Sequence, residues 1–112
     1  MLHDSIVKLQ SYFVGADEVA AYRSMVPRTV SVKWRRDDDV YIAFLERVDE
    51  KSIEGLLITE GKTADELNYN LNQLIYINSK IPERIRPYYG NMFRLDIGAK
   101  TAKTGKLVLA RA

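Results

Sequence analysis

The sequence predicts an α+β fold in which a three-stranded antiparallel meander, one helix packed on the sheet and a fourth strand follow in the order β-β-β-α-β, with an N-terminal helical extension. Three observations lead there. The hydrophobic period is helical up to Pro27 and becomes two at Thr29-Val30-Ser31-Val32-Lys33-Trp34-Arg35. Three such β-rich stretches are separated by short acidic turns, as consecutive antiparallel strands are. Thr63-Ala64-Asp65-Glu66 then forms a capping box before an apolar stripe of helical spacing. A chain of 112 residues is the size of one domain. Its 46% hydrophobic and 29% charged residues exclude the disordered and low-complexity classes. Within this single domain, 1–26 reads as the extension, 29–97 as the core and 98–112 as a basic tail.

Each element has its own warrant. Asp4 to Val14 places Ile6, Val7, Leu9 and Phe13 at near-helical spacing behind Asp4 as N-cap, and Gly15 ends the run. Asp17 is placed to cap a second short helix through Val19, Tyr22 and Arg23, stopped because Pro27 pushes Val26 out of the α region. In the first strand, 29–35, Val30, Val32 and Trp34 share one face, and Thr29, Ser31, Lys33 and Arg35 the other. After the turn Arg36-Asp37-Asp38-Asp39, Val40 to Glu46 is apolar nearly throughout, as in a central strand, and Phe44 is expected to join Trp34 as a cross-strand core pair. Asp49 to Ser52 turns the chain into the third strand, Ile53 to Thr59, with Gly55 marking a bulge. The capped helix carries Leu67, Leu71, Leu74, Ile75 and Asn78 on its stripe, with Asn68, Asn70, Asn72 and Gln73 opposite, and stops before Pro82. Residues 82–90 read as a loop with one turn, and Met92 to Ile97 as the fourth strand, with Phe93, Leu95 and Ile97 on one face. Residues 98–105 are loop-like, and Leu107-Val108-Leu109 is a short edge strand or a packed tail.

Composition removes much chemistry. With no cysteine and a single histidine, His3, neither disulfides, thiolate catalysis, Ser–His–Asp triads nor paired-His metal centres can be built from one chain. Glu46, Glu54, Glu60, Asp65, Glu66 and Asp96 have no spacing that demands a two-metal site, and the Asp37–Asp39 triplet lacks the alternation of a calcium loop. Thr104-Gly105-Lys106 lacks the spacing and the following Ser/Thr of a phosphate loop. The expectation is a non-enzymatic protein without metal or cofactor. No apolar run reaches the ~20 residues of a membrane span, and Met1-Leu2-His3-Asp4 does not open like a signal peptide, so a cytoplasmic protein is expected.

The net charge of +2 conceals a segregation. Residues 1–79 carry nine Lys/Arg and thirteen Asp/Glu, giving −4; residues 80–112 carry eight Lys/Arg and two Asp/Glu, giving +6. A charged partner is implied: a basic protein at the acidic body, or nucleic acid at the basic end. At that end Arg84, Arg86, Tyr88, Tyr89 and Arg94, with Lys100, Lys103 and Lys106, interleave cations and rings as nucleic-acid surfaces do, although core rings with a solvated lysine tail would read the same way.

The meander running into Glu60-Gly61-Lys62-Thr63-Ala64-Asp65-Glu66-Leu67 resembles the HicB-type antitoxin domain, in which a strand enters Gly-x-Thr-x-x-Glu-Ala and one helix. Gly61, Thr63 and Glu66 match, and Leu67 stands where Ala is common. The resemblance covers roughly 29–97; the N-terminal extension and the turn from Asp49 to Gly55 depart from it, and no helix-turn-helix or ribbon-helix-helix segment follows the fourth strand. It implies an antitoxin that masks a small, basic, mRNA-cleaving toxin of the HicA type. The acidic residues offered to that partner are Asp37, Asp38, Asp39, Asp49, Glu50, Glu54 and Glu60. The family's habit and an exposed sheet edge together imply a homodimer or higher even oligomer.

Overall fold

The computed structural model describes residues 15–97 and 104–111, and all of these except Glu54 and Leu56 with their side chains. The predicted helix from Asp4 to Val14 lies outside the described residues. The class is α+β with an antiparallel sheet: α1 (Ala16–Arg23), β1 (Thr29–Asp37), β2 (Val40–Val48), β3 (Lys51–Gly61), α2 (Ala64–Asn78), a 3-10 turn (Arg86–Tyr88) and β4 (Thr104–Ala110). The sheet order is β3-β2-β1-β4, every pair antiparallel. Among the described residues no helix is long and apolar enough to cross a membrane.

The alternation of β1 survives as Val30, Val32 and Trp34 buried on one face. That face also takes Ala43 and Leu45 of β2 and Leu109 of β4, and α2 lays Leu67, Leu71 and Ile75 against it. Gly105 is required where β4 crosses Trp34, because a Cβ there would stand 2.4 Å from the indole Nε1. Phe44 does not join Trp34. The register sets Trp34 opposite Ala43 and Lys33 opposite Phe44, so the ring lies on the other face of the sheet. Helix α1 begins at an extended Gly15 without a side-chain cap, and Asp17, expected as that cap, sits in its first turn where its charge suits the helix dipole.

The fourth strand is not where the alternation of residues 92–97 put it. Phe93 and Leu95 are buried as predicted, yet their backbone bonds go to helix α2 and not to a neighbouring strand. The Asn68 amide donates to the Leu95 carbonyl at 3.1 Å, and its oxygen accepts from the Leu95 N–H at 2.6 Å. Asn72 does the same for Phe93, at 2.6 and 2.9 Å. Four residues of helix rise about 6 Å, close to the length of two extended residues, so asparagines at i and i+4 match the rhythm of 93 and 95. Asn68 and Asn72, read from sequence as the polar side of the helix, are therefore buried, and Asn78, assigned to the stripe, is exposed. β4 is instead the segment around Leu107–Leu109, longer than expected and paired with β1 from Thr29 to Arg35.

Candidate functional site

A meander sends successive hairpin turns to opposite ends of its sheet, and the acidic residues follow. Asp37, Asp38 and Asp39 lie at one end with Glu60, which pairs across from Ile42. Asp49 and Glu50 turn β2 into β3 at the other end, about 26 Å away along β2. The seven expected acidic residues therefore do not form one surface, and the side chain of Glu54 lies outside the described residues. Asp49 is committed to the fold: its Oδ1 accepts from the N–H groups of Arg28 at 2.7 Å and Thr29 at 3.2 Å. With φ of 48° at Asp49 and 67° at Glu50, this turn uses the left-handed backbone that Asp tolerates.

The acidic end gains two residues by way of the joint between β3 and α2. A Cβ on Gly61 would lie 2.5 Å from the Leu67 nitrogen, so only glycine lets the strand pass that close under the helix. The Thr63 hydroxyl accepts the Glu66 N–H at 3.1 Å, while the return bond from the Thr63 N–H to the Glu66 carboxylate, expected of a full capping box, does not form. The first turn of α2 thus presents Asp65 and Glu66, both exposed, at the end that carries Asp37–Asp39 and Glu60.

The basic and aromatic set disperses. Arg84 pairs with Glu18 of α1, and the Tyr89 hydroxyl donates to the Val19 carbonyl. Arg86 donates to the Ile81 carbonyl at 3.1 Å and to Gln73 at 3.4 Å. These three groups dock α1 and the 81–90 segment. Burial pushes the Tyr89 hydroxyl up from its ordinary pKa against the pull of Arg23, and burial does the same to Tyr76, whose ring centroid is 5.9 Å from that of Tyr89. Tyr88 and Arg94 are exposed, and Lys106 belongs to β4, on the far side of the sheet from α2. Lys100 and Lys103 lie outside the described residues.

A different basic surface emerges on the sheet face opposite α2. One row crosses all four strands as Lys106, Lys33, Phe44 and Ile58; a second runs Thr104, Arg35, Ile42 and Glu60. The Arg35 guanidinium stands over the Phe44 ring, 5.5 Å from its centroid. Glu46 falls where the register breaks on both sides, and four residues of β3 including Gly55 (φ 88°) pass across from it. The break leaves a concavity of about 550 Å³ lined by Lys33, Arg35, Phe44, Glu46, Gly55 and Thr104 among others. Sequence reading missed Lys33, Arg35 and Phe44 as a group. The polar side of β1 was legible, but the alternation of β2 was hidden by apolar residues on both of its faces. Among the described residues no group of three or more His, Asp or Glu side chains is placed to hold a metal ion. Compared with protein-family models, with curated proteins and with solved structures, the chain matches none.

Proposed function

We propose that this protein is a non-enzymatic interaction module of the HicB-type antitoxin kind, which neutralises a small, basic, mRNA-cleaving toxin through the acidic end of its sheet. The observation that supports this reading is the joint at Gly61 and Thr63: two residues of the resemblance, the close-approach glycine and the N-cap, let a three-stranded meander close onto its helix, while Glu66 contributes only its backbone N–H there. That joint also gathers acidic residues far apart in sequence, Asp37–Asp39 with Glu60, Asp65 and Glu66, at one end of the molecule. Arg35, Arg36 and Lys62 share that end, as do Arg94 and Asp96 beside Asp65, and they leave it net negative. Against a basic partner, such a surface accelerates encounter and fixes orientation more than it deepens affinity.

The test is co-expression with the toxin-like protein of the neighbouring reading frame, followed by association kinetics at several salt concentrations. Changing Asp37, Asp38 and Asp39 to Lys should slow association and remove most of its salt dependence, because exposed rim charges act on the on-rate. A variant that associates at the wild-type rate, with the wild-type salt dependence, would refute the acidic end as the docking face. The free sheet edges are now β3 and β4, and we retain a homodimer or higher even oligomer as the proposed assembly, to be read by light scattering.

A further inference from the structure

The face of the sheet turned away from α2 carries cations where sheet energetics disfavours them. Lys33 and Lys106 are directly opposite one another on adjacent strands, a like-charge cross-strand pair that costs stability when nothing anionic covers it. Glu46 compensates only one of them, holding Lys106 at 3.2 Å; among the described residues no carboxylate pairs with Lys33. Arg35 stands one position further along β1, tied to Asp37 at 3.1 Å, and both of these ion pairs are exposed enough to exchange partners at little cost. The same rows hold Phe44, a ring the sequence pattern assigned to the core, and Ile58, 44% exposed.

We infer that this face binds single-stranded nucleic acid, with Phe44 and the Arg35 guanidinium as the stacking platform and Lys33 and Lys106 on the phosphates. Adjacent strands are ~4.8 Å apart, so the row from Lys106 to Ile58 spans roughly 14 Å, room for the two or three bases that a β-sheet platform stacks. An acidic peptide would satisfy the lysines but has no use for a ring flanked by a guanidinium. A duplex keeps its bases stacked inside, and this face projects no helix or ribbon to enter a groove. The inference differs from the antitoxin reading in the charge it uses and in its central residues, Lys33, Phe44 and Lys106, while Arg35 and Glu60 lie on the margin that the two surfaces share.

The experiment is fluorescence anisotropy of a labelled single-stranded oligouridine of roughly ten nucleotides, titrated with the full chain at several salt concentrations. Saturable binding is expected, with log K falling against log salt by about 0.7 for each phosphate engaged. Phe44→Ala should weaken binding by about tenfold, and Phe44→Trp, which keeps a stacking face, should restore it. Lys33→Glu with Lys106→Glu should weaken binding further and flatten the salt slope, with an unchanged circular dichroism spectrum showing that the exposed substitutions leave the fold intact. The Asp37, Asp38 and Asp39 to Lys variant should bind the oligonucleotide at least as well as wild type, which separates this inference from the toxin-docking face. Three results would overturn it: no binding of oligouridine at low salt, equal affinity for a duplex of the same length, or indifference to both the Phe44→Ala and the lysine changes.

Discussion

Replacing Asn72 tests the most unusual structural feature of the chain, the use of helix side chains as a substitute for a strand. Asn72 and Phe93 are both 0% exposed, and the amide makes two bonds to the Phe93 backbone, at 2.6 and 2.9 Å. Asn72→Leu keeps the branched side-chain skeleton, exchanges the amide oxygen and nitrogen for bulkier methyls and removes both bonds, leaving the Phe93 N–H and C=O buried without partners. Each orphaned group costs about 1–3 kcal/mol, and with some relaxation the sum is about 2–4 kcal/mol. Against a total stability of roughly 5–15 kcal/mol this is a large fraction, equivalent to a fall in melting temperature of about 10–20 °C for a domain of this size. Urea and thermal melts read it directly. Asn70→Ala is the control, since Asn70 makes only an exposed bond to the Glu60 carbonyl and its loss should cost about 0.5–1 kcal/mol. If Asn72→Leu melts with wild-type stability, or if Asn70→Ala is the worse variant, the 93–95 segment is not held by the asparagines.

The joint between β3 and α2 gives a graded pair of expectations: Thr63→Ala should cost about 1 kcal/mol as a lost N-cap, and Gly61→Ala about 1–3 kcal/mol, because its methyl meets helix backbone that cannot step aside. Chemical denaturation of both variants checks the order, and a tolerated Gly61→Ala would show the approach to be looser than described. Tyr76 is neutral and buried, donating to the Gly90 carbonyl at 2.6 Å, and its folded pKa is raised above the ordinary 10.0 chiefly by burial. A group raised in the folded state favours folding below its unfolded pKa and loses that contribution as pH climbs through the folded value, so stability should fall above about pH 10. Tyr76→Phe should flatten that alkaline loss, as followed by melting temperature against pH. An equally steep loss in the variant would place its origin elsewhere.

The strands β1 to β3 and the helix α2 were legible because each carries its signal locally: period-two burial, Asp-rich turns at left-handed backbone positions, and a Thr hydroxyl three residues before the amide it caps. Their neighbours in space were not. Residues 92–97 alternate like a strand, and alternation reports only an extended backbone with one buried face; which group receives its hydrogen bonds depends on what packs beside it, here a helix bearing Asn68 and Asn72. Polar side chains at helical spacing read as a solvated face until a segment 21 to 27 residues downstream returns to bond them. The same limit governs the candidate sites. Acidic and basic residues can be counted along a chain, but a meander distributes its turns to two ends and its strands to two faces. Register, a long-range property of pairing, decided that Phe44 lies among Lys33, Arg35 and Lys106 on the side of the sheet away from the core, and the packing of turns and helices around the sheet decided that Asp49 fastens the fold and that Arg84 and Arg86 hold other segments.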